Sequence, residues 1–453
     1  MWNLRQFRSA TKDLNKIALP LIIHNMTSTI MVALDKVIIG RVSPEAFNAV
    51  GAVGSLLALL AGILGYISVQ FNIAGGRAST KDDGTSDLSE EFTSTLLLNI
   101  VIGTLFFLIT ILFSRPLFAM LYGFDGYMLD TAVSYGNIMS VYLLLQLLMF
   151  SFGALFKIKR NTKWILFVSM FTVALNLLLD FIFVIGLGFG VRAIAISNVS
   201  TKAIALVIYA ILCRKELKIS FDKFVIYKKK AISTVKNSIP LMGQEVLEGS
   251  VFTLTVIAII ARVGDYHLTA YLSLGLIISF AMMPVYMYGS AILTLVSQIK
   301  PNIESYRYVL LPKVALFLSL AIFLVCAILF YFFRDTLTAI ITGREEVVVI
   351  ASSFMLVMLI ITFFEVISTV YKYSLQVIGQ AKFVLYLTAI INLVSVSILI
   401  FTTQIFNIGL YGVFICLLVN HSASAILYVR KYRKINFTSL NSVNLNDEGA
   451  NAI

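Results

Sequence analysis

Apolar residues along this chain do not alternate with polar ones. They run in long blocks separated by short polar joints. A block of about 20 apolar residues is long enough to cross a bilayer as a helix. Twelve such blocks can be marked, at roughly 14–40, 47–75, 92–113, 131–155, 164–187, 191–213, 235–262, 268–297, 310–333, 347–371, 383–404 and 408–429. The joints at 41–46, 188–190 and 405–407 are tight, and the glycine-rich run GLGFG at 186–190 punctuates one of them. The pattern predicts an all-α, polytopic membrane protein with twelve transmembrane helices.

Composition agrees with the blocks. Of 453 residues, 59% are apolar and 13% charged, with a mean hydropathy of +0.93, where a soluble domain carries about 25% charged residues. Cys213, Cys326 and Cys416 are isolated and lie in or beside apolar blocks. They show neither metal-ligand spacing nor a disulfide framework and read as packing residues. The net charge of +12 is informative through its placement. The joints on one side, with both tails, hold 27 Lys and Arg, and the opposite joints hold six. Cytoplasmic loops carry this excess, so both termini are expected in the cytoplasm, and the charge reads as topology and lipid-headgroup contact rather than nucleic-acid binding. No cleavable leader is expected, because residues 1–16 are polar and basic and the block that follows is too long for one.

The two halves of the sequence echo each other. ALP at 18–20 answers SIP at 238–240, IIGRV at 38–42 answers IIARV at 259–263, and Asn176-Leu177 answers Asn392-Leu393. Such pairs in order indicate an internal repeat of six spans, inserted the same way round. The expected organisation is an amino-terminal lobe at 1–213, a basic cytoplasmic linker at 214–234, a carboxyl-terminal lobe at 235–434 and a disordered polar tail at 435–453.

On the stretches ALPLII…ALDKVIIGRVSPEAFNAVG, VQFNIAGGRAS, ALNLLLDFIFVIGLGFGVRAIAIS, IPLMGQEVLEGSVFTLTVIAIIARVG and FFEVISTVYKYSLQVIGQAKF, the chain resembles the multidrug and toxic compound extrusion (MATE) family. Its wider superfamily also contains lipid-oligosaccharide flippases. The resemblance implies efflux of drugs or metabolites driven by H⁺ or Na⁺. It also places five residues at the family's cation-coupling positions: Asp35 on the first helix, Asn176 and Asp180 on the fifth, Glu248 on the seventh and Glu365 on the tenth. Lys36 departs from the small or hydroxyl residue the family often has there.

The polar residues support that reading on their own chemistry. A carboxylate at membrane depth is costly and marks a functional site by default. Asn176 and Asp180 share one helix face at a spacing of four. Joined by Asp35 they would form two carboxylates and an amide away from water, where both acids cannot ionise cheaply. Such a set serves a proton carrier, and its oxygens could equally ligate Na⁺. Glu245 and Glu248 share a face of the seventh span, and Glu248, the deeper, is expected to work with Glu365. Lys36 either snorkels to the interface or pairs with Asp35, and Lys202, at mid-span, is expected to face inward toward Asp180 or Asp35. Gln70, Gln244, Met283, Tyr286 and Tyr371 are candidate substrate contacts, Met and Tyr offering adaptable, polarizable walls. Pro20, Pro240 and Pro284 are candidate hinges. His24 and His421 read as hydrogen-bonded interior histidines.

No P-loop, GxSxG or HExxH occurs, so the sequence predicts neither ATP drive nor an enzyme, and no cofactor beyond H⁺ or Na⁺ as coupling ion. The expectation is a monomeric, cation-coupled antiporter of the bacterial cytoplasmic membrane carrying small amphipathic or cationic molecules. The rival reading, a flippase for a lipid-linked saccharide, requires more Lys and Arg at depth than Lys36 and Lys202.

Overall fold

Blocks of apolar residues without water to satisfy the backbone must close their hydrogen bonds internally, which leaves helices as the local solution. The computed structural model describes residues 4–40, 44–81, 84–186, 190–216, 227–300 and 304–435, with side chains omitted at 32–40, 44–47, 185, 215 and 216. The described elements are all helical: α1 Leu4–Gly40, α2 Pro44–Ala78, α3 Gly84–Tyr122, α4 Gly126–Ile158, α5 Lys163–Asp180, α6 Val191–Glu216, α7 Lys228–Val263, α8 Asp265–Ser297, α9 Arg307–Phe332, a short helix Arg334–Thr342, α10 Glu345–Val377, α11 Ala381–Ile400 and α12 Leu410–Lys434. Among the described residues, eleven of these segments are long and apolar enough to cross a membrane. α1, at 37 residues, brings the long helices to twelve.

Among the described residues, three helices widen into π-helical turns: α5 continues through Phe181–Gly186, α7 widens at Val246–Phe252, and α11 continues through Phe401–Ile405. Single π turns inside helices shift the register of the side chains they carry and are frequent at functional sites. Pro20, Pro240 and Pro284 all lie inside helices, where each removes one backbone bond. Of the linker expected at 214–234, residues 214–216 close α6. α7 begins at Lys228, so 228–234 is helical, while 217–226 and the tail expected to be disordered, beyond 435, lie outside the described residues.

The chain divides into two compact units, Pro20–Ser238 and Met1–Leu19 with Ile239–Ile453. The divisions fall at Pro20 in α1 and just before Pro240 in α7, rather than in the joint between the sequence halves. Ion pairs and a hydrogen bond tie the starts of α1 and α7 to these units. In the first unit, Lys230 at the start of α7 holds Glu90 (2.8 Å) and Asp87 (3.4 Å) on α3, and Asp87 also meets Lys81 (3.3 Å). In the second unit, Asp13 of α1 accepts from Arg307 of α9 at 2.6 Å, and Asn15 accepts from the Tyr288 hydroxyl at 2.7 Å.

The core of the first unit lies between α2, α3, α4 and α6, with Val53, Phe118, Met139, Leu143 and Leu147 buried. A polar node sits inside it. Asn99, fully buried, donates to Ser151 Oγ (2.7 Å) and Ser68 Oγ (3.3 Å), joining α3 to α4 and α2. In the second unit, Phe354 of α10 stacks on Phe414 of α12 at 4.7 Å. Large apolar side chains such as Leu112, Phe167, Ile328 and Leu393 are exposed, as lipid-facing surface requires.

Candidate functional site

Glu248 sits in the π-helical turn of α7. Widening the helix loosens its backbone bonds, and side chains take up the freed carbonyls. Asn392 Nδ2 of α11 donates to Leu247 O at 3.0 Å, and Thr253 Oγ1 donates to Glu248 O at 2.9 Å. The carboxylate is ringed by donors. Lys372 Nζ of α10 lies 2.6 Å from Oε2, while Gln244 Nε2 (3.0 Å) and Thr388 Oγ1 (3.4 Å) reach Oε1. These partners are held in turn. Gln376 Nε2 donates to Gln244 Oε1 at 2.7 Å, and the Thr388 hydroxyl shares a 2.8 Å bond with that of Tyr428 on α12. Asn420 then donates to Asn392 Oδ1 (2.9 Å) and Ser395 Oγ (3.1 Å). One polar network therefore ties α7, α10, α11 and α12 together around a salt bridge. Gln244, Gln376 and Thr388 are buried, whereas the Glu248 side chain keeps 33% of its surface accessible and that of Lys372 keeps 14%.

Lys372 corrects the sequence reading, which ended the tenth span at 371 and counted this lysine as a cytoplasmic loop charge. The helix runs on to Val377 and the ammonium turns inward. Without it the loop count on that side falls from 27 to 26, still far above six. Glu365 Oε1 accepts from the Tyr286 hydroxyl at 3.4 Å, and that hydroxyl lies within electrostatic range of Lys372 and Glu248. Tyr371 is buried edge-on against Tyr432 at 5.6 Å, and the Tyr432 hydroxyl donates to Tyr308 O. Met283 is half-buried and Pro284 buried on α8, while Glu245 is half-buried one turn before Glu248. His421 of α12 lies within electrostatic range of Glu248.

In the first unit, Asn176 and Asp180 close α5 directly before its π turn, and both are fully buried. Both amide atoms of Asn176 lack a hydrogen-bond partner among the described residues. The side chains of Asp35 and Lys36 lie outside the described residues, so the expected meeting of Asp35 with Asp180 does too. Lys202 places its ammonium 4.6 Å from the centre of the Tyr142 ring. A ring face can offset an ammonium without a second charge. Gln70 is buried on α2. His24 has its Nδ1 buried without a hydrogen-bond partner among the described residues.

Sequence reasoning missed Lys372, Gln376, Thr388, Asn420 and Tyr428. Asn392 was visible only as the repeat counterpart of Asn176.

A model of the MatE family matches the chain twice, at residues 20–182 and 240–402. Several solved structures are similar. A Vibrio cholerae MATE transporter, VcmN, in an aspartate-to-asparagine variant, superimposes with a TM-score of 0.87 at 18% identity, covering 97% of this chain and 98% of that one. An outward-facing multidrug resistance MATE family transporter of the MOP superfamily gives 0.84 at 16% identity, covering 96% and 97%. A MOP superfamily transporter from Pyrococcus furiosus, described as having a binding pocket of reverse polarity that suggests a different function, gives 0.83 at 17% identity, again covering 96% and 97%. At these identities the likeness is one of fold. No curated protein matches the chain.

Proposed function

Because the chain belongs to the MatE family of membrane transporters, matched by the family model in each half, we propose that it is a cation-coupled antiporter exporting small amphipathic organic molecules, with its coupling carboxylates in the amino-terminal half. The observation that carries this is the full burial of Asp180 with Asn176 at the end of α5, directly before a π turn. Glu248 is already matched by an ammonium at 2.6 Å. A Na⁺ ion arriving there would find Oε2 taken by Lys372 and Oε1 by Gln244 and Thr388. Asp180 is fully buried one helical turn after Asn176, both of whose amide atoms lack a hydrogen-bond partner among the described residues. An aspartate at the centre of a membrane helix costs about 2.5–3.5 kcal/mol on insertion scales. Reversible uptake of H⁺ or Na⁺ is the use that justifies it.

In this mechanism substrate loads from the cytoplasm while the amino-terminal carboxylates are empty. Cation binding from outside then favours the state that has released it. A ligand shifts such an equilibrium only through its differential affinity for the two states. The π turn after Asp180 and the proline in α1 supply backbone that can change shape without breaking a full helix.

The lipid-flippase reading needs uncompensated basic residues at depth. Lys372 adds a deep lysine, but Glu248 matches it, so the balance still favours efflux of small molecules. The test is transport in everted vesicles under an imposed pH or Na⁺ gradient. Asp180→Asn and Asp35→Asn are expected to lose gradient-driven uptake, while Glu248→Gln retains the coupling and changes substrate affinity. Retention of gradient-driven transport by Asp35→Asn, Asp180→Asn, Glu248→Gln and Glu365→Gln alike would sink the proposal.

A further inference from the structure

We propose that the Glu248–Lys372 pair is a substrate-recognition site selecting zwitterionic organic molecules, whose cationic group goes to Glu248 and whose anionic group goes to Lys372. The inference rests on the transport reading above and specifies what that transporter takes.

Three features of the pair lead there. First, its surroundings are fixed. Gln244, itself held by Gln376, and Thr388 hold one side of the carboxylate and all three are buried, while Glu248 and Lys372 keep accessible surface. The network thus presents an acid and a base together on its open side. Second, the acid rides on a π-helical turn, a backbone arrangement that aims it into the network at the cost of regular helix bonds. Asn392 and Thr253 repair those bonds with side chains, as a built site requires. Third, aromatic groups lie beside the charges. Lys372 Nζ is 5.9 Å from the centre of the Tyr373 ring, and Tyr286 is within electrostatic range of both members of the pair.

The selectivity follows from charge balance. An organic monocation that binds Glu248 must push Lys372 off the carboxylate and so break the pair from one side. Breaking a buried pair from one side is the unfavourable case. An anion at Lys372 strands Glu248 in the same way. A molecule carrying both charges inserts between them, and each buried ion exchanges one partner for another. Lys372 is therefore the residue that separates this lobe from a plain cation site.

Calorimetric titration of the purified full chain in nanodiscs tests this with three probes on one scaffold: phenylalanine, phenethylamine and 3-phenylpropionate, differing only in charge. The wild type is expected to bind phenylalanine at least about tenfold more tightly than either singly charged analogue. Lys372→Met is expected to prefer phenethylamine, Glu248→Gln to prefer phenylpropionate, and Lys372→Arg to keep the preference for phenylalanine. Should Lys372→Met fail to fold, Glu248→Gln/Lys372→Met removes both charges together and is expected to bind the three probes without distinction. A wild type that binds phenethylamine as well as phenylalanine, or binds none of the three, overturns the proposal. So does a preference unchanged in the double variant. Gradient-driven efflux without zwitterion preference removes the substrate assignment alone, whereas zwitterion binding without gradient-driven efflux removes the transport reading alone.

Discussion

Glu248 shows how much of a buried charge's energetics lies in what is left behind when its partner goes. The carboxylate accepts from Lys372, Gln244 and Thr388. Removing one member of a fully buried ion pair costs about 3–5 kcal/mol, while replacing both by neutral groups is often nearly neutral. Glu248 keeps a third of its side-chain surface accessible, so solvent screening lowers the penalty here. Lys372→Met is expected to destabilise by roughly 2 kcal/mol, with Glu248→Gln/Lys372→Met recovering most of the loss. Melting temperatures of the two single variants and the double variant complete the cycle. Additive losses in the double variant would mean that the two side chains do not depend on each other. None of this was legible along the sequence. Lys372 stands 124 residues from Glu248, and Gln376 stands 132 from Gln244. A one-dimensional pattern records a lysine at the end of an apolar block and assigns it to the loop.

Between elements, packing depends on where two helices approach too closely for any side chain. A Cβ built on Gly103 of α3 would lie 2.7 Å from Leu144 Cα on α4, a backbone atom with no freedom to move aside. Gly103→Ala must therefore push the helices apart, at a cost of about 1–3 kcal/mol, and would disturb the Asn99 node that joins the same helices one turn away. Gly51 on α2 is the control. A Cβ there meets nothing within 4 Å, and alanine is favoured over glycine in a helix by about 0.5–1 kcal/mol. Gly51→Ala is expected to match or exceed the wild-type melting temperature and Gly103→Ala to fall below it. Equal melting temperatures would contradict the close approach. The elements themselves were readable, because block length alone separates a spanning helix from a joint. The π-helical turns were not. They carry no hydrophobic period of their own, and only the tertiary partners of their loosened carbonyls, such as Asn392 on Leu247, explain why they persist.

At the scale of the whole molecule, the sequence repeat and the family matches agree. The matched segments begin at Pro20 and Pro240, the prolines that the paired ALP and SIP motifs align. The division into compact units falls beside the same two residues, so each half's first helix begins in one unit and continues in the other. The starts of those helices are held by ion pairs, Asp13 with Arg307 and Lys230 with Glu90 and Asp87. All of these charges lie on the side to which the positive-inside asymmetry assigns the cytoplasm. That assignment has a direct consequence for reporters. Green fluorescent protein fused after residue 453 is expected to fluoresce and alkaline phosphatase there to stay inactive. The opposite result is expected for fusions ending at the turn of Gly123–Asp125, between α3 and α4. With 26 basic residues against six after Lys372 is placed inside its helix, the asymmetry is large enough that moving one or two charges should not invert it. Active phosphatase at the carboxyl terminus would reverse the membrane orientation. The cation that drives export would then reach Asp180 from the wrong side, and the direction of transport proposed above would have to be reversed with it.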